Sequence, residues 1–136
     1  METETWEKLA PSNTTNQFPE PRGGHTMFAE GDSIFVYGGW NSEMQYSNVI
    51  VYNVTTNEWA DPDIYNEIPR WNHSGILVHA IPSKKYFIFG GEIGNFPEGG
   101  PRHFGVCTNT TSYLDLDSKN WAKVEAELGE NGQPAF

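Results

Sequence analysis

Short apolar runs alternate with polar turns rich in Gly and Pro along the whole chain, and no segment holds a helical period. The clearest run is Ser33-Ile34-Phe35-Val36-Tyr37, which ends at Gly38-Gly39. Its apolar residues fall on both faces, which predicts a strand covered from both sides. Tyr86-Phe87-Ile88-Phe89 repeats the pattern and ends at Gly90-Gly91. Paired glycines suit a backbone that turns with positive φ, or one that another segment passes too closely for a Cβ.

Around each run the same signals recur in the same order. Arg22-Gly23-Gly24-His25 precedes the first run and Arg70-Trp71-Asn72-His73 the second. After each come an aromatic strand and a Trp, with Tyr52 and Trp59 in one unit and Tyr113 and Trp121 in the other. Such ordered recurrence predicts a repeat protein. Each unit reads as four strands joined by hairpins. In the first, His25–Glu30 and Ser33–Tyr37 join through Gly31-Asp32; Ser47–Val54 and a strand beginning at Glu58 join through Thr55-Thr56-Asn57. In the second, His73–His79 pairs with Lys85–Phe89, and Ser112–Leu116 with Asn120–Val124. Thr5–Leu9 alternates like a further edge strand. Asp61–Pro69 reads as a Pro-containing loop, and Glu92–Thr111 as a loop of about twenty residues, a length that is often functional.

These residues together resemble the kelch motif: Arg-x-x-His, the double glycine, the Tyr of the third strand and the Trp of the fourth. A unit of about 50 residues in four strands is also the kelch period. The resemblance implies an all-β fold of four-stranded antiparallel blades from a β-propeller. An incomplete ring is expected from two units, because closed propellers use about 4–8 blades. Residues 1–22 are expected to supply the outer strand of a shared closing blade plus a loop. Residues 23–69 form the first blade and 70–128 the second, with its long loop at 92–111; residues 129–136 begin the next inter-blade loop. The remaining blades are expected from the same longer chain or from associated copies. His25, Gly38, Gly39, Tyr52, Trp59, His73, Gly90, Gly91, Tyr113 and Trp121 are then motif residues with structural roles.

Composition narrows the function. The formal charge of −10 argues against nucleic acid or an anionic membrane as partner, since both call for a basic face. No run of 18 apolar residues occurs, and Met1–Trp6 lacks the basic start and apolar core of an export signal. Cys107 is the single cysteine, so a reducing, cytoplasmic setting is expected, with cytoskeletal or nuclear placement open. His73 and His79 lie about 20 Å apart along a strand, and no His-x-His or Cys-x-x-Cys is present. Neither a metal nor a cofactor is expected.

Exposed-loop aromatics and arginines are the best functional clue, because Trp, Tyr and Arg make binding hot spots. Arg22, Trp40, Asn41, Arg70, Trp71, Phe96, Arg102 and Phe104 are the expected partner contacts. For Arg22 and Arg70 the alternative is that each binds carbonyls and positions its loop. For Trp71 it is packing between blades. The expected function is a non-catalytic protein- or peptide-binding module. A fragment of a propeller enzyme, a domain fused to an enzyme, and a purely structural scaffold are the alternatives.

Overall fold

The computed structural model describes residues 4–11, 18–66, 68–94 and 105–125. Every regular element among them is a strand. The first blade is a four-stranded antiparallel sheet in sequential order, β1 (Thr26–Glu30), β2 (Ser33–Tyr37), β3 (Asn48–Asn53) and β4 (Glu58–Tyr65). A two-residue turn joins β1 to β2, with Gly31 at positive φ. Gly at the first turn position lets the turn twist match that of the strands.

After β5 (Arg70–Trp71), the second blade contains β6 (Ser74–Val78) and β7 (Lys85–Phe89). β8 (Glu92–Gly94) and β9 (Gly105–Cys107) follow, and then β10 (Thr111–Asp115) and β11 (Asn120–Lys123) complete the blade in the order β6-β7-β10-β11.

The first blade turns Phe28, Tyr37, Val49 and Ile64 onto Tyr86, Ile88 and Leu114 of the second, forming one core. These residues alternate along their strands, so a single pleat face delivers all of them. Tyr37 packs on the Trp121 ring at 4.6 Å between centroids, and Phe28 on Tyr86 at 4.3 Å. Aromatics of this size each bury about 150–250 Å², so this seam dominates the packing of the two blades.

Four expectations need correction. β4 runs on through Pro62 to Tyr65, so the loop starts later than Asp61. The register shifts between Val49 and Val51, Asp63 takes φ 59°, and its N–H donates to Asp61 Oδ1 at 3.0 Å. A bulge on an edge strand tolerates Pro because the lost N–H faces outward. The stretch 92–111 is not wholly loop: β8 and β9 pair at its base. Residues 4–11, expected to hold an edge strand, form none, and Trp6 stands fully exposed. A strand exists only through a ladder, and Thr5–Leu9 joins none of the described sheets.

The fourth correction concerns Tyr113. It faces Phe87 and Ala122, whereas Leu114 pairs with Tyr86 and Trp121 as Tyr52 pairs with Ile34 and Trp59. Leu114, not Tyr113, is therefore the counterpart of Tyr52. The spacing carried the signal: Tyr52 and Leu114 each precede their Trp by seven residues, Tyr113 by eight.

Candidate interaction face

Arg22 and Arg70 lead the chain into the two blades, and both side chains are turned inward. Each is only 3% exposed. Arg70 donates to the Gly90 carbonyl at 2.6 Å, the Thr110 carbonyl at 3.2 Å and Thr110 Oγ1 at 2.9 Å. Arg22 donates to the Gly38 carbonyl at 3.2 Å, Asn48 Oδ1 at 3.0 Å and Glu20 at 3.1 Å, with its guanidinium 3.8 Å from the Tyr46 ring centroid. Burial pulls both guanidiniums below the ordinary arginine range; Glu20 chiefly opposes this at Arg22, and Tyr37 at Arg70. The fork that could hold a partner's carboxylate is thus filled from within the chain, mainly by backbone carbonyls at Arg70 and by a carbonyl, Asn48 and the Glu20 carboxylate at Arg22. As contact residues Arg22 and Arg70 are corrected to loop-positioning residues within their own blades.

The double glycines work at the same junction. Gly38 and Gly39 have φ of 69° and 91°, and Gly39 N–H donates to the Arg70 carbonyl at 2.8 Å. A Cβ on Gly38 would collide with that carbonyl. Both expected reasons for the glycines therefore apply together. Gly91 is crowded by the Trp71 carbonyl and His73, whereas Gly90 has only the Thr108 carbonyl at ordinary contact distance.

Beyond the glycines the backbone builds a small extra sheet on each blade. In the first it is reduced to bridges, Gly23 with Trp40 and Trp40 with Gln45. In the second it is the three-stranded sheet β5-β8-β9, with Trp71 opposite Glu92 and Glu92 opposite Cys107. Trp40 and Glu92 therefore hold matching places.

Trp40 is 38% exposed, with its ring 6.5 Å from that of Trp71. Trp71 is buried, with Gly105 against its ring and Gly24 against its Cβ. It is corrected from a contact residue to packing between the blades. Half-buried Asn41 organises the turn after Trp40. Its Oδ1 accepts from the Glu43 and Met44 N–H groups, and its Nδ2 donates to the Pro21 carbonyl and the Tyr46 hydroxyl. Phe96, Arg102 and Phe104 lie outside the described residues.

Two residues that the sequence reading passed over sit on the same face. Asn72 is exposed at φ 53°, a conformation Asn tolerates better than most residues, and its Nδ2 donates to Glu92 Oε1 at 3.1 Å. The position of Asn72 inside the Arg-x-x-His motif was the available signal. The face therefore offers an indole, amides and a carboxylate over a buried arginine layer.

Beneath it, His73 ties the blades together. Its Nε2 lies 2.6 Å from Thr26 Oγ1 in the first blade, and Thr26 Oγ1 also bonds the Tyr86 hydroxyl. The structural role expected of this His is thus a side-chain bond across the seam. Burial first, then Arg70 and His25, lowers the His73 pKa to about 4. Burial likewise pushes the Tyr37 and Tyr86 hydroxyls up to about 12. Among the described residues, no three His, Cys, Asp or Glu side chains converge as a metal site would require.

A model of the KLHDC2/KLHL20/DRC7 Kelch-repeats domain matches residues 1–135. Kelch domain-containing protein 10 of Xenopus tropicalis is 36% identical over an aligned length of 144 residues, covering 100% of this chain and 31% of that protein. Host cell factor of Drosophila melanogaster is 26% identical over 127 residues, covering 93% of this chain and 8% of that protein. Host cell factor 1 of Homo sapiens is 27% identical over 118 residues, covering 85% and 5% respectively. The chain thus spans less than a third of the length of each of these relatives.

Proposed function

The chain belongs to the kelch-repeat family, and from that membership we propose that it is a non-catalytic interaction module whose protein or peptide partner meets the face around Trp40. Kelch repeats generally serve as protein-interaction modules. In this reading residues 1–22 supply the outer strand of a shared blade, formed only when the other strands of that blade are present, 23–69 the first blade, 70–128 the second, and 129–136 the next connection. Phe96, Arg102 and Phe104, which fall between β8 and β9 in the chain, are further partner contacts in this reading.

One observation carries the proposal. Trp40 is a large aromatic left 38% exposed on a surface whose backbone is held from beneath. Arg22, Asn41 and the Gly23–Trp40 bridge fix the loops on either side of it. A partner therefore meets a rigid anchor, and little ordering entropy opposes binding. Indoles in this setting supply contact area with only two side-chain rotations to freeze.

A random-peptide library displayed on phage and panned on the purified chain tests the reading. Selected peptides should lose binding at least tenfold to Trp40→Ala and keep it with Ile81→Ala, an exposed residue at the far end of the blade. Peptides that bind both variants equally well would place the interaction elsewhere.

A further inference from the structure

Taking the Trp40 face as the binding surface proposed above, we infer that its partner is a basic peptide, which brings a lysine or arginine side chain to the Glu92 carboxylate beside the exposed indole of Trp40. The side chains concerned gather at the junction of the two blades. Trp40 of the first and Trp71 of the second stand with their rings 6.5 Å apart. Trp71 pairs with Glu92 across β5 and β8. Glu92 Oε2 and the Trp71 ring together fill the space where a Cβ on Gly105 would stand. Asn72 holds the carboxylate from its other oxygen, donating from Nδ2 to Oε1 at 3.1 Å. Its backbone N–H in turn donates to the Gly24 carbonyl of the first blade at 2.8 Å. The carboxylate thus lies against the same indole that Trp40 adjoins, in a fixed position.

Glu92 is half-buried, and among the described residues the Asn72 amide is the one hydrogen-bond partner of its side chain. It enters none of the ion pairs of those residues. A carboxylate shielded from part of its water, without a counter-charge, gains a short, charge-assisted bond from an arriving ammonium or guanidinium. A cation placed there also reaches the face of an indole, whose quadrupole attracts it.

The surrounding charge has the matching sign. Glu43 stands exposed in the turn after Trp40 and is likewise outside the ion pairs. The two arginines of this face, Arg22 and Arg70, are each 3% exposed and bonded inward. Lys84, Lys85 and Lys119 stand at the opposite end of the second blade, in or beside the turns that open β7 and β11. A basic peptide therefore meets attraction across the face, whereas an acidic one meets repulsion and leaves Glu92 without a counter-charge.

Panning the phage-displayed library and titrating the selected peptides against charge variants of the purified chain tests this. Peptides that depend on Trp40 should share a Lys or Arg at one position. Each should lose about tenfold in affinity to Glu92→Gln, the scale of a hydrogen bond to a charged group; glutamine keeps the shape and can still accept from Asn72. Replacing that Lys or Arg by Met should cost the same on the wild type and nothing further on Glu92→Gln. Glu58→Gln removes the same charge from the exposed start of β4 and should leave affinity unchanged. Trp40-dependent peptides that lack the cation, or that ignore Glu92→Gln, overturn the inference and leave the Trp40 face standing. Equal losses at Glu58→Gln and Glu92→Gln overturn it too, because the attraction is then the general one of a chain with charge −10. So does a Glu92→Gln loss that disappears in an Arg102→Ala background, which assigns the carboxylate to the chain's own arginine. A library that yields no Trp40-dependent peptide overturns both the face and the basic partner.

Discussion

Tyr37 and Phe89 occupy the same position in successive blades, each closing the second strand before a double glycine, yet Tyr37 is fully buried and Phe89 is 55% exposed. The second blade makes the difference, since His73 and Trp121 cover Tyr37. Tyr37→Ala should therefore cost about 3–5 kcal/mol, the usual range for emptying an aromatic site in a core. Phe89→Ala should cost less than about 1 kcal/mol, as at ordinary surface sites. Urea denaturation of dilute chains measures both. Equal costs would mean that the seam between blades is not what stabilises this position.

The glycines give a second paired comparison. Gly38→Ala adds a Cβ at φ 69° against the Arg70 carbonyl, whereas Gly90→Ala at φ 67° meets nothing closer than ordinary contact. Both carry the backbone penalty of about 1–3 kcal/mol. Only Gly38→Ala must also push the blades apart. Gly38→Ala should lower the midpoint of thermal unfolding clearly further than Gly90→Ala, and similar midpoints would contradict the close approach.

Much of this was legible in the chain. Strand order, hairpins, the double glycines and the apolar seam follow from short-range patterns, because period-2 alternation and turn chemistry are local. The small sheet at β5, β8 and β9 escaped because its strands are two or three residues long and pair across a long connection. Arg22 and Arg70 were harder. An arginine in a loop reads as exposed, and only the three-dimensional path of Gly38, Gly90 and Thr110 reveals carbonyls waiting for it. Tyr113 misled for a different reason: its aromatic ring fits a strand pattern on either face, and a one-residue slip exchanges the faces.

His73 predicts how stability depends on pH. Its pKa is lowered from 6.5 to about 4, chiefly by burial. Between these values the unfolded chain binds a proton that the folded chain does not. The contribution is thus fully present above about pH 6.5 and is lost as pH falls towards 4. It amounts to at most about 3 kcal/mol. Glu30 and Asp115, both held below their ordinary values, act mainly below about pH 4.5. Unfolding free energy measured between about pH 7 and pH 4.5 should fall with acid. His73→Gln should flatten that slope; an unchanged slope in the variant would assign it to another group.

Arg70 anchors three acceptors with a planar fork, and a lysine cannot reproduce that geometry. Arg70→Ala leaves the Gly90 carbonyl without this donor, at about 1–3 kcal/mol if it remains buried, while the Thr110 carbonyl keeps the Gly90 N–H. Arg70→Lys should recover less than half of the loss. Amide hydrogen exchange offers a local readout: protection of Gly90 and Thr108, whose N–H groups donate to the Thr110 and Gly91 carbonyls, should fall before that of β7 and β10. Uniform loss across the blade would indicate global destabilisation, not release of the loop.

Trp40 separates binding from folding. Its ring is 38% exposed and lies 6.5 Å from the Trp71 ring, while its backbone carries both bonds to Gly23. Alanine keeps that backbone, so Trp40→Ala should cost under about 1 kcal/mol in stability. At a hot spot the same truncation costs at least about 2 kcal/mol in binding, close to thirtyfold in affinity. Trp71→Ala should behave in the opposite way. Its ring fills the space against Gly105, so its removal opens a cavity costing about 3–5 kcal/mol. Any loss of binding there should follow the loss of fold. Titrating one selected peptide against both variants, with unfolding curves for each, keeps the two effects apart. If Trp40→Ala destabilises as much as it weakens binding, the indole is a structural part of the loop and the proposed anchor is wrong.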